Sequence, residues 1–281
     1  MADEPGELAL EAALAETIDF LTLRPDGAGG WSGDAPDWFG EYLFGGFVIA
    51  QAIAAATRDA PDGRRLHSLH AYFLRPVTSK GPLAYRVHTL REGRSFTTRR
   101  VEAAQFDKPV LDLTCSFAAD VDTDVYVYDL PGVSAVPGPD AFEPEGGPGP
   151  WVAGWVGPTP PRADGTREST HRMWFRIPSE LPDDEHLHAA LLGFATDWTG
   201  IGGRPLHLEG DIQGMVSLDH AAWFHRRARA DEWLFYDVHS LVNAGGRGLL
   251  RGVMRDVGGR VVASVAQEMR LTPVEPAGPD A

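Results

Sequence analysis

Apolar and polar positions divide this chain into segments of two kinds. From Phe44 to Thr57 the sequence reads FGGFVIAQAIAAAT, apolar on almost every face. Such a run predicts a helix over 45–57 that is buried all round, not one lying on a surface. Asp59-Ala60-Pro61-Asp62-Gly63 ends it. Four strand-like runs follow, at 67–74, 83–91, 95–105 and 109–119, and Glu92-Gly93 and Asp107-Lys108 are short enough to be hairpin turns. Upstream, 1–16 reads as a short helix or a loose start, 20–23 as a short strand and 25–38 as a loop rich in Gly, Pro and Trp.

The order then recurs. A strand is predicted at 171–177, and Pro182-Asp183-Asp184 supplies a helix start. Leu187, Ala190, Leu191, Phe194 and Ala195 fall at i, i+3, i+4, i+7 and i+8, one face of a helix. Four more strand-like runs follow at 214–226, 233–243, 247–256 and 260–271, with Gly258-Gly259 marking a hairpin and 273–281 reading as a disordered tail. Shifting one half by 151 positions, the interval from Tyr85 to Tyr236, sets YRVHTL at 85–90 on YDVHSL at 236–241. It also sets Phe73 on Phe224, Arg75 on Arg226, Arg100 on Arg251 and Val110 on Val261, with no gap across the last three strands. Two copies of one supersecondary unit are implied.

Each unit is a helix against a strongly bent antiparallel sheet. The fold class expected is therefore α+β, a double hotdog, with the two sheets pairing edge to edge. The first domain is placed at 1–128 and the second at 166–281. Between them, 129–165 holds nine prolines from Pro131 to Pro161 among many glycines and reads as a linker, although Trp151 and Trp155 are candidates to pack on a domain.

Composition narrows the function classes. The chain has 281 residues, 43% hydrophobic and 23% charged, with 25 Lys and Arg against 40 Asp and Glu for a net charge of −15. That balance repels phosphate backbones and argues against nucleic acid, but a few local arginines can still hold a small polyanion. One cysteine, Cys115, excludes an intrachain disulfide and a multi-cysteine zinc site. It lies in an apolar run, as a buried inert thiol does. No apolar run approaches the roughly 18–20 residues of a membrane span. The acidic start lacks a basic leader, so the expected location is the cytoplasm. There is no G-x-S-x-G elbow, Walker A loop or dinucleotide fingerprint.

Five ordered segments carry a resemblance. They are FGGFV at 44–48 with AQA at 50–52, HSLHAYFLRP at 67–76, LREGRSFTTRRV at 90–101, LDHAAWFH at 218–225 and VASVAQE at 262–268. Together they resemble the acyl-CoA thioesterase II (TesB-like) family over most of 39–272. The resemblance implies a double hotdog, hydrolysis of acyl-CoA, no metal and no cofactor. It also implies a catalytic trio in the second half: an aspartate, a threonine or serine, and a glutamine that orient a water molecule. Carried over motif by motif, these are Asp197, Ser217 and Gln267.

Thioester hydrolysis needs a positioned water, an acceptor for its proton and donors for the oxyanion. Asp197 lies near the C-terminal end of its helix, where the dipole disfavours negative charge and raises a carboxylate's pKa. Read alone, Asp197 is more simply an aspartate bonding local backbone in a helix-terminal turn, and Ser217 and Gln267 ordinary buried polar groups; the resemblance reverses that. Oxyanion donors are expected near the helix start at Gly45 and Gly46. Arg99 and Arg100, among several arginines, are candidates for the CoA phosphates, and Trp223 for contact with the substrate. Trp198 and Trp223 could also simply fill the core. His220 and His225 read as structural rather than catalytic, and the pair His186 and His188 lacks a third metal ligand. Two other readings stay open: a non-catalytic acyl-CoA or lipid-binding hotdog protein, and a hotdog enoyl-CoA hydratase, for which the adjacent Asp219-His220 has the wrong spacing. Two hotdogs in one chain already make the usual pair, and a homo-oligomer of that pair is compatible with the sequence.

Overall fold

The computed structural model describes residues 15–36, 40–58, 60–121, 138–142, 145–146, 150–156, 170–199 and 212–273. Residues 1–14, 122–137 and 274–281 lie outside them, as does much of 157–211, so the expectations for the chain start and tail fall on undescribed positions.

The first half contains β1 (Arg24–Pro25), β2 (Trp31–Gly33), α1 (Gly45–Thr57), β3 (Arg64–Phe73), β4 (Leu83–Glu92), β5 (Phe96–Gln105) and β6 (Lys108–Ala119). Residues 15–21 are helical, so the strand expected at 20–23 is not there. Thr22 closes that turn by donating its hydroxyl to Ile18 O at 2.9 Å. The second half contains β7 (Glu145–Gly146), β8 (Val152–Val156), β9 (Thr170–Arg176), α2 (Glu185–Thr196), β10 (Ile212–Ser217), β11 (Asp219–Phe224), β12 (Leu234–Ala244), β13 (Arg247–Asp256) and β14 (Val261–Pro273). β8 pairs with β9, and Trp151 is buried against Phe175, Phe194 and Trp198. Part of the Pro/Gly-rich segment thus joins the second sheet and its core.

The described strands make one sheet of order β1-β2-β4-β5-β6-β3-β11-β14-β13-β12-β9-β8-β7, with β10 also on β14. The halves meet where β3 pairs antiparallel with β11, Ala71 opposite His220. Along β5 the burial alternates strictly, as a strand with one face on a core requires. The core face wraps the two helices.

The helices touch along their lengths and run antiparallel. Gly46 at the start of α1 abuts Phe194 and Asp197 at the end of α2, while Gly193 abuts Ile49 and Ile53. A Cβ on Gly46 would stand 2.3 Å from Phe194 O, so only glycine permits this approach. Gln51 is fully buried and works as a latch. It donates to Phe20 O at 2.6 Å and to Asp34 O at 2.9 Å, and accepts from the Tyr85 hydroxyl at 2.7 Å.

Registers carry the repeat further than residue identity does. Bulges fall at corresponding places: between Thr89 and Arg91 and between Ser240 and Val242; between Leu66 and Ser68 and again at Leu218. One correction follows. Arg99 pairs with Cys115, and Leu250 with Gln267. Arg99 and Leu250 are 151 apart, but Cys115 and Gln267 are 152 apart. The last strand is displaced by one residue, so Gln267 corresponds to Cys115 and Val110 to Val262.

Candidate active site

Asp197 is the C-cap residue of α2 and is 1% exposed. The helix forms because Asp184 caps its start, accepting from His186 N at 2.8 Å and Leu187 N at 3.2 Å. Its apolar face then buries Ala190, Leu191 and Phe194. Asp197 is thereby delivered to the far end of the helix, against the start of α1.

That start is chemically open. Phe44 at the N-cap of α1 makes no side-chain capping hydrogen bond, and no acidic residue lies in the first turn. The Gly45 and Gly46 N–H groups have no intrahelical partner. A Cβ on Gly45 would sit 2.7 Å from Asp197 Oδ2, so the glycine keeps the carboxylate within reach of the helix end.

β10, β11 and β14 supply the rest. Gln267 is fully buried. Its amide nitrogen donates to Asp197 Oδ1 at 2.6 Å and to Ser217 Oγ at 2.7 Å. Both amide protons are thus committed, and the Ser217 hydroxyl keeps its own proton to donate elsewhere. The geometry depends on the break at Leu218. Leu218 N donates to Glu268 O at 2.9 Å, Phe73 N donates to Leu218 O at 3.0 Å, and Asp219 Oδ1 accepts from Glu268 N at 2.8 Å. Bulges re-aim side chains in this way. Here Ser217 and His220, an odd three residues apart, both come to face the core.

Burial pushes the Asp197 pKa up to about 7, opposed by the Gln267 donation and the Gly46 N–H. The expectation from the helix dipole had the right sign but not the main cause, which is exclusion of solvent. Oδ2 of Asp197, Oε1 of Gln267 and Nδ1 of His220 are buried without a hydrogen-bond partner. These three atoms lie around one carboxylate, so the site offers acceptors that the protein itself does not fill.

Arg99, Arg100 and Trp223 are placed elsewhere. Arg99 is buried and donates to Ala56 O at the opposite end of α1. Arg100 holds Asp112, Nε to Oδ1 at 2.9 Å, and Glu102 at 3.0 Å. Trp223 is 38% exposed and meets His70 edge-on at 5.2 Å. Asp219 supports backbone while His220 faces the core, so the two do not assemble as a dyad. His188 Nδ1 accepts from Ala230 N at 3.1 Å. Among the described residues no three His, Cys, Asp or Glu side chains are grouped to hold a metal ion, and no helix is long and apolar enough to cross a membrane.

Sequence reasoning passed over two side chains near the carboxylate as contributors. His220 Nε2 lies 2.9 Å from Thr196 Oγ1, and Tyr236 donates its hydroxyl to Thr196 O at 2.8 Å. Both are buried. Strand alternation was the one signal available for His220, and the bulge reverses it.

The fold is that of a double hotdog protein, and one end of its helix pair sets a buried carboxylate, bridged by an amide to a hydroxyl, against an uncapped helix start, an arrangement equipped to hold and deprotonate a water molecule. Comparison with known proteins gives the family. Residues 35–118 match the family "Acyl-CoA thioesterase N-terminal domain" and residues 128–271 match "Acyl-CoA thioesterase C-terminal domain". The chain belongs to the acyl-CoA thioesterase family. It is 32% identical over 276 residues to acyl-CoA thioesterase 2 of Haemophilus influenzae, covering 90% of this chain and 93% of that one. It is 28% identical to human acyl-coenzyme A thioesterase 8, covering 95% of this chain and 90% of the relative. The crystal structure of acyl-CoA thioesterase II TesB2 from Mycobacterium marinum superposes with a TM-score of 0.75 at 32% identity, over 94% of this chain and 99% of that one.

Proposed function

We propose that this protein hydrolyses acyl-CoA to a free acid and CoA, with Asp197 as general base and Ser217 and Gln267 orienting the water. One observation carries the reading. A single amide joins a buried carboxylate to a hydroxyl and takes up only Oδ1, leaving Oδ2 turned to the start of α1 with lone pairs to spare.

The steps follow from the donors and acceptors present. Water donates one proton to Asp197 Oδ2 and accepts from the Ser217 hydroxyl. Its oxygen attacks the thioester carbon, forming the C–O bond, and the carbonyl electron pair moves onto oxygen. The Gly45 N–H group and the positive end of α1 stabilise that oxyanion, while the Gly46 N–H stays with the Asp197 carboxylate. The intermediate then collapses, breaking the C–S bond. The leaving thiolate takes the proton that Asp197 accepted. A carboxyl with a pKa of about 7 suits both transfers. It is basic enough to accept the proton, and acidic enough to return it to a thiolate whose conjugate acid lies near 8.5.

The test is release of free CoA from a panel of acyl-CoAs, short to long, followed with a thiol reagent. Turnover that collapses in Asp197→Asn supports the reading. Tight binding without release from any acyl-CoA would instead make the protein an acyl-CoA-binding module.

A further inference from the structure

Outside the trio, His220 is a buried titratable group that stands beside Asp197 and that the reaction above leaves unused. It lies on β11 just past the Leu218 bulge and is 1% exposed. Nε2 is 2.9 Å from Thr196 Oγ1. Thr196 has one hydroxyl proton and directs it to Gly193 O at 2.7 Å. The proton between Thr196 and the ring therefore belongs to Nε2. Nδ1 has no hydrogen-bond partner and stands 3.9 Å from Asp197 Oδ1. Burial holds the ring's pKa down to about 4 against the opposing pull of the Gln267 side chain, so the ring is neutral at neutral pH and, with its one proton on Nε2, leaves Nδ1 bare.

We infer that His220 is a positioning residue for the hydrolysis: it ties the last turn of α2 to β11 through Thr196 and turns an unprotonated Nδ1 toward the carboxylate of Asp197. The inference rests on Asp197 being the base. The trio comes from separate elements, Asp197 from the end of α2 and Ser217 and Gln267 from the sheet. Their register with one another needs holding. Tyr236 ties the same helical turn to β12. His220 supplies the tie to β11, the strand that continues from Ser217. A neutral ring can do this without quenching the base. An imidazolium in its place would set a full positive charge against Asp197 and convert the base into half of an ion pair. At the corresponding position of the first half stands Leu69, fully buried, where there is no carboxylate to position.

The test uses the full chain and CoA release as the readout, with His220→Leu, His220→Gln, Thr196→Val, the Leu/Val double variant and Asp197→Asn side by side. Leucine removes the tie, whereas glutamine keeps an N–H within reach of Thr196. We expect kcat to fall about tenfold to a hundredfold in His220→Leu, the cost of a misplaced reacting group, with KM nearly unchanged. His220→Gln should recover most of that loss. Thr196→Val should match His220→Leu, and the double variant should be no worse than either, because both cut one tie. Full turnover in a folded His220→Leu, or losses that multiply in the double variant, would overturn the inference and leave the base assignment standing. If His220→Leu does not fold, full turnover in Thr196→Val overturns it. Turnover retained in Asp197→Asn would instead remove the base assignment itself.

Discussion

The two halves share a scaffold down to the position of their bulges, yet the proposed chemistry sits in one of them. Where the second half has Ser217, His220 and Gln267 facing its helix, the register of the first half puts Leu66, Leu69 and Cys115, all buried. Where α2 is C-capped by Asp197, α1 is C-capped by Arg58. The helix starts differ in the opposite sense. α2 is closed by the Asp184 side chain, and α1 has no such cap. Each end of the antiparallel helix pair brings one helix start against one helix finish. At one end an open start meets a carboxylate. At the other, a start capped by its own aspartate lies alongside a finish whose Ala56 carbonyl takes the buried Arg99. The scaffold offers two equivalent places, and a handful of side chains decides which can activate water. The proposed site is also composite: Asp197 comes from the second half and the open helix start from the first.

The largest test of that asymmetry is Asp197→Asn. The amide keeps the shape and loses the base. General-base catalysis accounts for about a hundredfold to ten-thousandfold, so kcat should fall by about a thousandfold, read as CoA release at saturating acyl-CoA. Next come substitutions that copy the first half into the second. Gln267→Cys and Ser217→Leu each remove a group proposed to orient the water, and each should cost about a hundredfold in kcat. A variant of either kind that keeps full turnover would show that the difference between the halves is not what makes one active.

The pH dependence sharpens the same comparison. Asp197 must be ionised to accept a proton, so kcat/KM should fall on the acid side with a limb near 7. Stability responds in the opposite direction. The folded-state pKa of Asp197 is raised above the ordinary value of 3.8, so the folded state binds that proton more tightly than the unfolded chain does. The carboxylate costs nothing below about pH 4. Its cost grows as pH rises toward 7 and is then constant, at about 4 kcal/mol. Asp197→Asn should therefore resist denaturant better than the parent at pH 8, with the gain shrinking toward pH 4. An unchanged denaturation midpoint at pH 8 would mean that the carboxylate is not held at the expense of stability.

Much of this architecture was legible beforehand. Both helices follow from apolar pattern, α1 over the full predicted span, and most strands end within three residues of expectation. What escaped was whatever breaks a local period. A strand was expected at Phe20–Leu23, where residues 15–21 instead close a helical turn. The bulge at Leu218 divides one predicted strand into β10 and β11 and brings Ser217 and His220 to one face. The single-residue displacement of β14 makes Val262, not Val261, the counterpart of Val110, and sets Gln267 at the place of Cys115. Arg99 and Arg100 could have been separated from sequence alone, since adjacent strand residues point to opposite faces. Composition shows how many arginines there are, not which carboxylates already hold them.

The smallest effect belongs to the first half's own residue at the glutamine position. Cys115 is 1% exposed, and burial pushes its thiol up to about 12. It therefore stays protonated and unreactive toward a thiol reagent while the protein is folded. Cys115→Ala should leave kcat within about twofold and cost about 1 kcal/mol or a little more, the loss of a small buried apolar group. Cys115→Ser keeps the size but buries a hydroxyl between Leu69 and Arg99, which costs about 1–3 kcal/mol when unpartnered. The serine variant should therefore be the less stable of the two, with both fully active. A clear loss of turnover in either would mean that the first half contributes more to the reaction than the open start of α1, and the contrast drawn between the two halves would have to be redrawn around Cys115.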